Sequence, residues 1–127
     1  MMYKWASIVI GLAALSGAAG IMESAASAHT ISDPLLKTSA NMLIVNAASV
    51  IAISGYASSR LQRWALFGAA TLLAGSLLFC GELSTHVFLG QRSFALAAPI
   101  GGTLMIAGWV IAAASAFTSA FRRRDKI

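Results

Sequence analysis

Four long apolar stretches, separated by short segments with charged or turn-forming residues, occupy nearly the whole chain. They cover residues 5–22, 42–57, 64–89 and 100–121. About 20 helical residues cross the hydrocarbon core of a bilayer. Each stretch is apolar around its full circumference, as expected of a helix that contacts lipid. The pattern predicts an all-α integral membrane four-helix bundle forming one domain over residues 1–127. Its predicted spans are approximately 4–24, 38–57, 64–89 and 99–121.

The composition agrees with this class. Hydrophobic residues make up 58% of the chain and charged residues 10%, whereas soluble proteins carry roughly 25% charged residues. The net charge of +5 is placed at helix ends, where it favours contact with anionic lipid headgroups over nucleic acid. The lipid bilayer is therefore the predicted partner. Cys80 is the single cysteine, so no internal disulfide is possible, and we expect it to be a small buried apolar residue.

Basic residues are distributed unequally between the two sides of a four-span topology. Seven lie on one side and only Lys37 and Arg92 on the other. The positive-inside rule then predicts that both termini face the cytoplasm, in a multi-pass protein of the bacterial inner (plasma) membrane. The predicted topology anchors are Arg60, Arg63, Arg122, Arg123 and Arg124.

The first stretch has a second interpretation, as a cleaved signal peptide. A short basic start precedes it, and Ala26-Ser27-Ala28 resembles a signal-peptidase site. The apolar part of a signal peptide usually has about 7–15 residues. Since residues 5–22 exceed that length, we favour a retained first helix.

Small residues recur at helical spacing and predict where helices approach each other closely. Ser16, Gly20 and Ser24 are spaced by four in the first helix, as are Gly108 and Ala112 in the fourth. Helices in lipid associate largely through van der Waals contact, which such faces permit. The faces could pack the bundle internally or dock it on another membrane protein, and we favour the former. The predicted packing residues are Gly20, Gly75, Gly101, Gly102, Gly108 and Trp109. We also expect Asn41 and Asn46 to form interhelical hydrogen bonds.

Acid–histidine pairs in an apolar setting are the best indication of a functional site. Glu82 and His86 lie four residues apart, on one face of the third helix. In the predicted topology, Glu23 and His29 of the first helix reach the same outer end. These four residues could bind zinc or copper, relay protons or receive a quinone headgroup. We favour a structural role, in which these side chains extend into the membrane interface or Glu82 pairs with His86 or Arg92, over a partner or lipid contact and over such a site. Their spacing matches no dedicated metal motif, so we predict no catalytic residue, metal or cofactor.

Several motifs resemble a known family. Ala98-Pro99-Ile100-Gly101-Gly102, followed by Ala107-Gly108-Trp109, is similar to the Pro-x-Gly-Gly and Gly-Trp signature of domain-of-unknown-function family 423. Residues 75–81 and 15–17 add weaker matches in the same order. That family also includes proteins similar to animal transmembrane protein 256. The resemblance implies a four-helix membrane fold and no established activity.

The chain departs from the family pattern in two places. After the first helix, residues 24–29 keep His29 but have Ser24 and Ser27 where the family has glycines. In the second helix, Asn41-Met42 and Asn46 replace an aromatic-Gln and His pattern. Any family activity that depends on those residues is expected to be altered here.

Three classes of function remain open. The leading prediction is a non-catalytic accessory or assembly subunit of a larger membrane complex, with respiratory complexes among the candidates. Small size, short loops and small-residue faces favour this class, and other membrane-protein subunits are its expected partners. The second class is a small transporter or proton-conducting bundle. The third is an intramembrane metal or quinone site built on Glu82 and His86.

Overall fold

The computed structural model has four helices and describes residues 1–90 and 96–124, with side chains as far as residue 122. The helices are α1 (Met2–His29), α2 (Pro34–Arg60), α3 (Arg63–Leu89) and α4 (Ala97–Arg124). All regular structure in the described residues is α-helical, which confirms the predicted all-α class. Each helix is long and apolar enough to cross a membrane. The number and order of the predicted spans agree with these helices.

Consecutive helices run antiparallel, and each packs on its neighbour in sequence. The contact of α3 with α4 is the most extensive, followed by those of α1 with α2 and of α2 with α3. α1 touches α3 over a small area, while α4 packs chiefly on α3. One link between α2 and α4 is a hydrogen bond of 3.0 Å from Asn46 Nδ2 to Met105 Sδ. Asn41, by contrast, is exposed.

The chain termini and the α2–α3 connection lie at the same end of the bundle. Gln62, in that connection, donates to the Ser119 hydroxyl near the end of α4 at 3.4 Å. Met1 and Met2 share a surface groove with Leu61. This end, which we call the basic end, carries the exposed side chains of Lys4, Arg60, Arg63 and Arg122. Arg92 and Lys126 lie outside the described residues. Arg123 and Arg124 belong to α4, but their side chains are not among those described.

Helix α2 starts four residues before the predicted span, because the local sequence provides a complete helix start at residue 34. The Asp33 carboxylate accepts a hydrogen bond of 2.9 Å from the backbone N–H of Leu35, which satisfies a donor of the first turn. Pro34 occupies the first helical position, where its missing N–H costs nothing. The helix ends at Arg60, and the next residue, Leu61, is left-handed with φ 55°.

Glycines allow α3 and α4 to approach until their backbones touch. A Cβ added to Gly75 would lie 2.6 Å from the Met105 nitrogen, and one added to Gly108 would lie 2.6 Å from the Leu72 nitrogen. Real Cβ atoms essentially never approach a backbone atom so closely. At the α1–α2 contact, a Cβ on Gly20 would lie 2.9 Å from Leu43 Cβ. The structure thus places predicted packing glycines at two helix contacts.

Two predicted packing residues lie away from the α3–α4 interface. A Cβ added to Gly102 would meet no atom within 4 Å, and Trp109 is 45% exposed. The reason is helical phase. Gly101 and Gly108 face α3, and the residue that follows each of them is rotated by about 100° around the helix. Gly102 and Trp109 thus lie outside the α3–α4 contact, and their role in helix packing stays a prediction.

Candidate functional site

A polar cluster forms where α1, α2 and α3 meet at the end opposite the basic end. Ser39 Oγ of α2 donates to Glu23 Oε2 of α1 at 2.6 Å. Ser84 Oγ of α3 donates to the other carboxylate oxygen, Glu23 Oε1. The two hydroxyl oxygens are 3.2 Å apart, and Ser39 Oγ is 3.4 Å from the carbonyl oxygen of Cys80. We call these four residues the Glu23 cluster.

Small side chains bring the three helices close enough for these bonds. Gly20, one turn before Glu23, lies against α2, where an added Cβ would be 3.2 Å from the Ala40 carbonyl oxygen. On the other side of α2, Cys80 Sγ contacts the Ser39 carbonyl oxygen at 3.5 Å. Ser39 is fully buried, whereas Glu23 and Ser84 are half-buried. The cluster thus extends from the interior of the bundle to its surface.

The two serine hydroxyls are oriented toward Glu23 and not along their own helices. Hydroxyls within a helix commonly donate to the carbonyl four residues earlier. The neighbouring Thr38 and Thr85 do so, with distances of 3.0 Å to Pro34 O and 2.7 Å to Gly81 O. Ser39 and Ser84 instead donate across the helix interfaces to one carboxylate. The difference identifies Glu23 as the group on which this cluster converges.

Glu82 lies on a different side of α3. It is buried, with 8% of its surface exposed, and it continues the stripe of Gly75 and Phe79 that contacts α4. Ser84, which faces Glu23, is two residues later and therefore about 200° further around the helix. Glu82 and Glu23 consequently belong to different interfaces of α3.

The histidines are not brought to the Glu23 cluster. His86 is half-buried, and its Nδ1 forms no hydrogen bond with the described part of the chain. His29 is the last residue of α1 and is exposed. Residues 1–90 and 96–124 hold no group of three or more His, Cys, Asp or Glu side chains that could bind a metal ion. The predicted grouping of Glu23, His29, Glu82 and His86 is therefore not assembled as a metal site in the described residues, and its suggested member Arg92 lies outside them.

Sequence reasoning identified Glu23 but missed its partners. Ser39 and Ser84 are separated from Glu23 by 16 and 61 residues, and serine is unremarkable in a membrane helix. Glu23 could be identified because it is a polar residue within an apolar stretch. The serine partners could not, because the sequence does not show which of several serines face α1.

Four kinds of oxygen contact hold the cluster together. One carboxylate, two hydroxyls and one backbone carbonyl come together from three helices. Such groups tie helices to each other by hydrogen bonds, and they are also the ligand types that hard cations prefer.

Comparison with known proteins gives one match. The family model described as a protein of unknown function (DUF423) matches residues 16–102. This range contains the Glu23 cluster, Glu82 and the Gly75–Gly101 contact, and it ends before Gly108 and Trp109. It confirms the resemblance predicted from the motifs. No curated protein and no solved structure gives a significant match.

Proposed function

Because this chain belongs to the DUF423 family of proteins of unknown function, we propose its function from its own geometry. It is a non-catalytic accessory or assembly subunit of a larger membrane complex. Its partner is another membrane protein that packs against the free side of α4.

The position of Trp109 carries this proposal. Trp109 lies near the middle of α4 and is 45% exposed on its outer surface. Tryptophans of membrane proteins concentrate at the two membrane–water interfaces, where the indole N–H can reach water. In the middle of a span, the N–H needs an acceptor from protein, because the hydrocarbon supplies none. The indole donates no hydrogen bond within residues 1–90 and 96–122, so an adjacent subunit is the natural source of the acceptor.

The remainder of the outer surface of α4 suits such a contact. Ile106, Val110 and Phe117 are exposed beside Trp109, and α4 is covered chiefly by α3 alone. The polar groups inside the bundle, Glu23 and Asn46 among them, form hydrogen bonds between helices of this chain. Their use in helix packing supports a structural role for the chain.

The charge distribution supports a location in the bacterial inner membrane with the basic end in the cytoplasm. The four described basic side chains of that end are all exposed, and an excess of Lys and Arg on one side is what the positive-inside rule associates with the cytoplasm. Lys37 is at the opposite end, beside the α1–α2 connection.

The test is co-migration of the tagged protein with a larger complex after extraction from native membranes in a mild detergent. Trp109→Phe removes the indole N–H and keeps an aromatic ring, so we expect it to weaken this co-migration. Trp64→Phe is the matched control, because Trp64 is exposed at the start of α3 near the basic end and should leave complex recovery unchanged. Migration of the wild-type protein as a lone subunit would refute the proposal.

A further inference from the structure

The charge of Glu23 lacks a basic partner within the described structure. Its hydrogen-bond partners are the neutral hydroxyls of Ser39 and Ser84, and no ion pair connects it to a basic side chain in residues 1–90 and 96–122. Glu23 lies in a helix long and apolar enough to span a membrane. An ionised carboxylate is expensive in that environment, and residues of this kind mark ion or proton sites more often than random positions do. A bound positive charge would offset the cost.

The hydroxyl protons of the cluster are too few for its oxygen contacts. Each serine hydroxyl has one proton and two lone pairs. Four oxygen–oxygen contacts nevertheless occur: one from each serine to Glu23, one between the serines and one to the Cys80 carbonyl. Two protons serve two of these contacts. The 3.2 Å contact between the serines and the 3.4 Å contact to the Cys80 carbonyl are therefore at most shared hydrogen bonds, and a cation would bind the oxygen lone pairs that remain.

We propose that the Glu23 cluster is a binding site for one sodium ion. Its ligands are the Glu23 carboxylate, the hydroxyls of Ser39 and Ser84 and the Cys80 carbonyl oxygen. Hard cations bind oxygen ligands of these kinds. A single carboxylate neutralises a monovalent ion, whereas a divalent ion would leave a net positive charge among apolar helices.

The oxygens lie close together, so a small ion requires the least expansion of the cluster. Around Ser39 Oγ, the other oxygens lie at 2.6 Å (Glu23 Oε2), 3.2 Å (Ser84 Oγ) and 3.4 Å (Cys80 O). The longer bonds of potassium would require a wider arrangement, and the size of the ligand shell is a main determinant of ion selectivity. Sodium requires a smaller expansion of the cluster than potassium does. When the ion binds, the serine hydroxyl protons turn away from the carboxylate.

The test compares thermal unfolding of the purified full-length protein in sodium, potassium and choline chloride at equal ionic strength. A ligand that binds only the folded state raises the unfolding temperature, and the rise grows with the ratio of ligand concentration to dissociation constant. We expect sodium to raise the unfolding temperature more than potassium, and choline to have no specific effect. Equal unfolding temperatures in the three salts would overturn the proposal. A cluster that binds no metal ion would give this result.

Serine variants localise the effect. Ser39→Ala and Ser84→Ala each remove one ligand, so we expect both to abolish most of the sodium-dependent rise. Ser54→Ala is the matched control, because Ser54 is fully buried in the same helix as Ser39 and its hydroxyl has no hydrogen-bond partner in the described structure. It should keep the full rise. If Ser39→Ala and Ser84→Ala also keep it, the ion binds elsewhere and the proposed site is wrong. The unfolding temperature of Glu23→Gln should not depend on sodium. If Glu23→Gln does not fold, the two serine variants alone test whether the ion binds at this site.

Discussion

Gly75 of α3 and Gly101 of α4 lie against each other's backbone where the two helices meet. A Cβ on Gly75 would be 2.7 Å from the Gly101 carbonyl oxygen, and a Cβ on Gly101 would be 2.8 Å from the Gly75 carbonyl oxygen. Gly68 and Gly108 repeat the arrangement further along the same helices. Because hydrophobic attraction between helices is weak in lipid, this close contact is a principal source of α3–α4 stability.

Gly108→Leu should separate α3 from α4. The new side chain would collide with the Leu72 backbone, and a rigid backbone cannot relax as a flexible side chain can. Overpacking costs about 1–3 kcal/mol or more, so we expect a clear fall in the unfolding temperature in detergent. Gly102→Leu is the control, since a Cβ there meets nothing within 4 Å. Equal stability of the two variants would show that the glycine contact contributes little.

Asn46→Ala should destabilise the protein by about 0.6 kcal/mol, with an upper limit near 1.7 kcal/mol, which is the range for interhelical hydrogen bonds in membranes. The change removes the amide donor to Met105 and leaves α4 held to α2 less firmly. Asn41→Ala, at an exposed position of the same helix, should have little effect. Reversible unfolding in mixed micelles measures both. A larger loss for Asn41 than for Asn46 would contradict this assignment.

Leu61→Gly should stabilise the α2–α3 turn. Leu61 has φ 55°, and a left-handed conformation costs a residue with a Cβ roughly 1–2 kcal/mol. Glycine adopts it without that cost, although the greater freedom of glycine in the unfolded chain reduces the gain. We expect a rise in the unfolding temperature. Ser59→Gly, which lies within the helix, should lower it by contrast, because glycine is a poor helix former.

Cysteine labelling tests the orientation. In a background where Cys80 is replaced by alanine, a cysteine at Ser59, near the basic end, should react with an impermeant thiol reagent only from the cytoplasm. A cysteine at Ser32, in the α1–α2 connection at the opposite end, should react only from outside. Ser93 is expected to behave like Ser32, although it lies outside the described residues. The reverse pattern of labelling would overturn the positive-inside argument, and an intact mass beginning after Ala28 would show that the first helix is removed.

The sequence alone determined the four helices, because the signals that specify them are local. A long apolar stretch in lipid must satisfy its backbone hydrogen bonds internally, and a helix does so within one segment. The start of α2 at Asp33 and Pro34 also depends only on adjacent residues. The family resemblance was equally accessible, since its motifs are contiguous.

Tertiary structure decided which side of each helix meets which neighbour. Gly101 and Gly102 are adjacent and chemically identical, yet only Gly101 contacts α3. Glu23 is bonded to serines of two other helices, while Glu82 faces a different interface of α3. The physical reason is that one residue turns a helix by about 100°. When nearly every side chain is apolar, the hydropathy pattern barely distinguishes one rotation from another, so the fit of small residues against neighbouring backbones selects it.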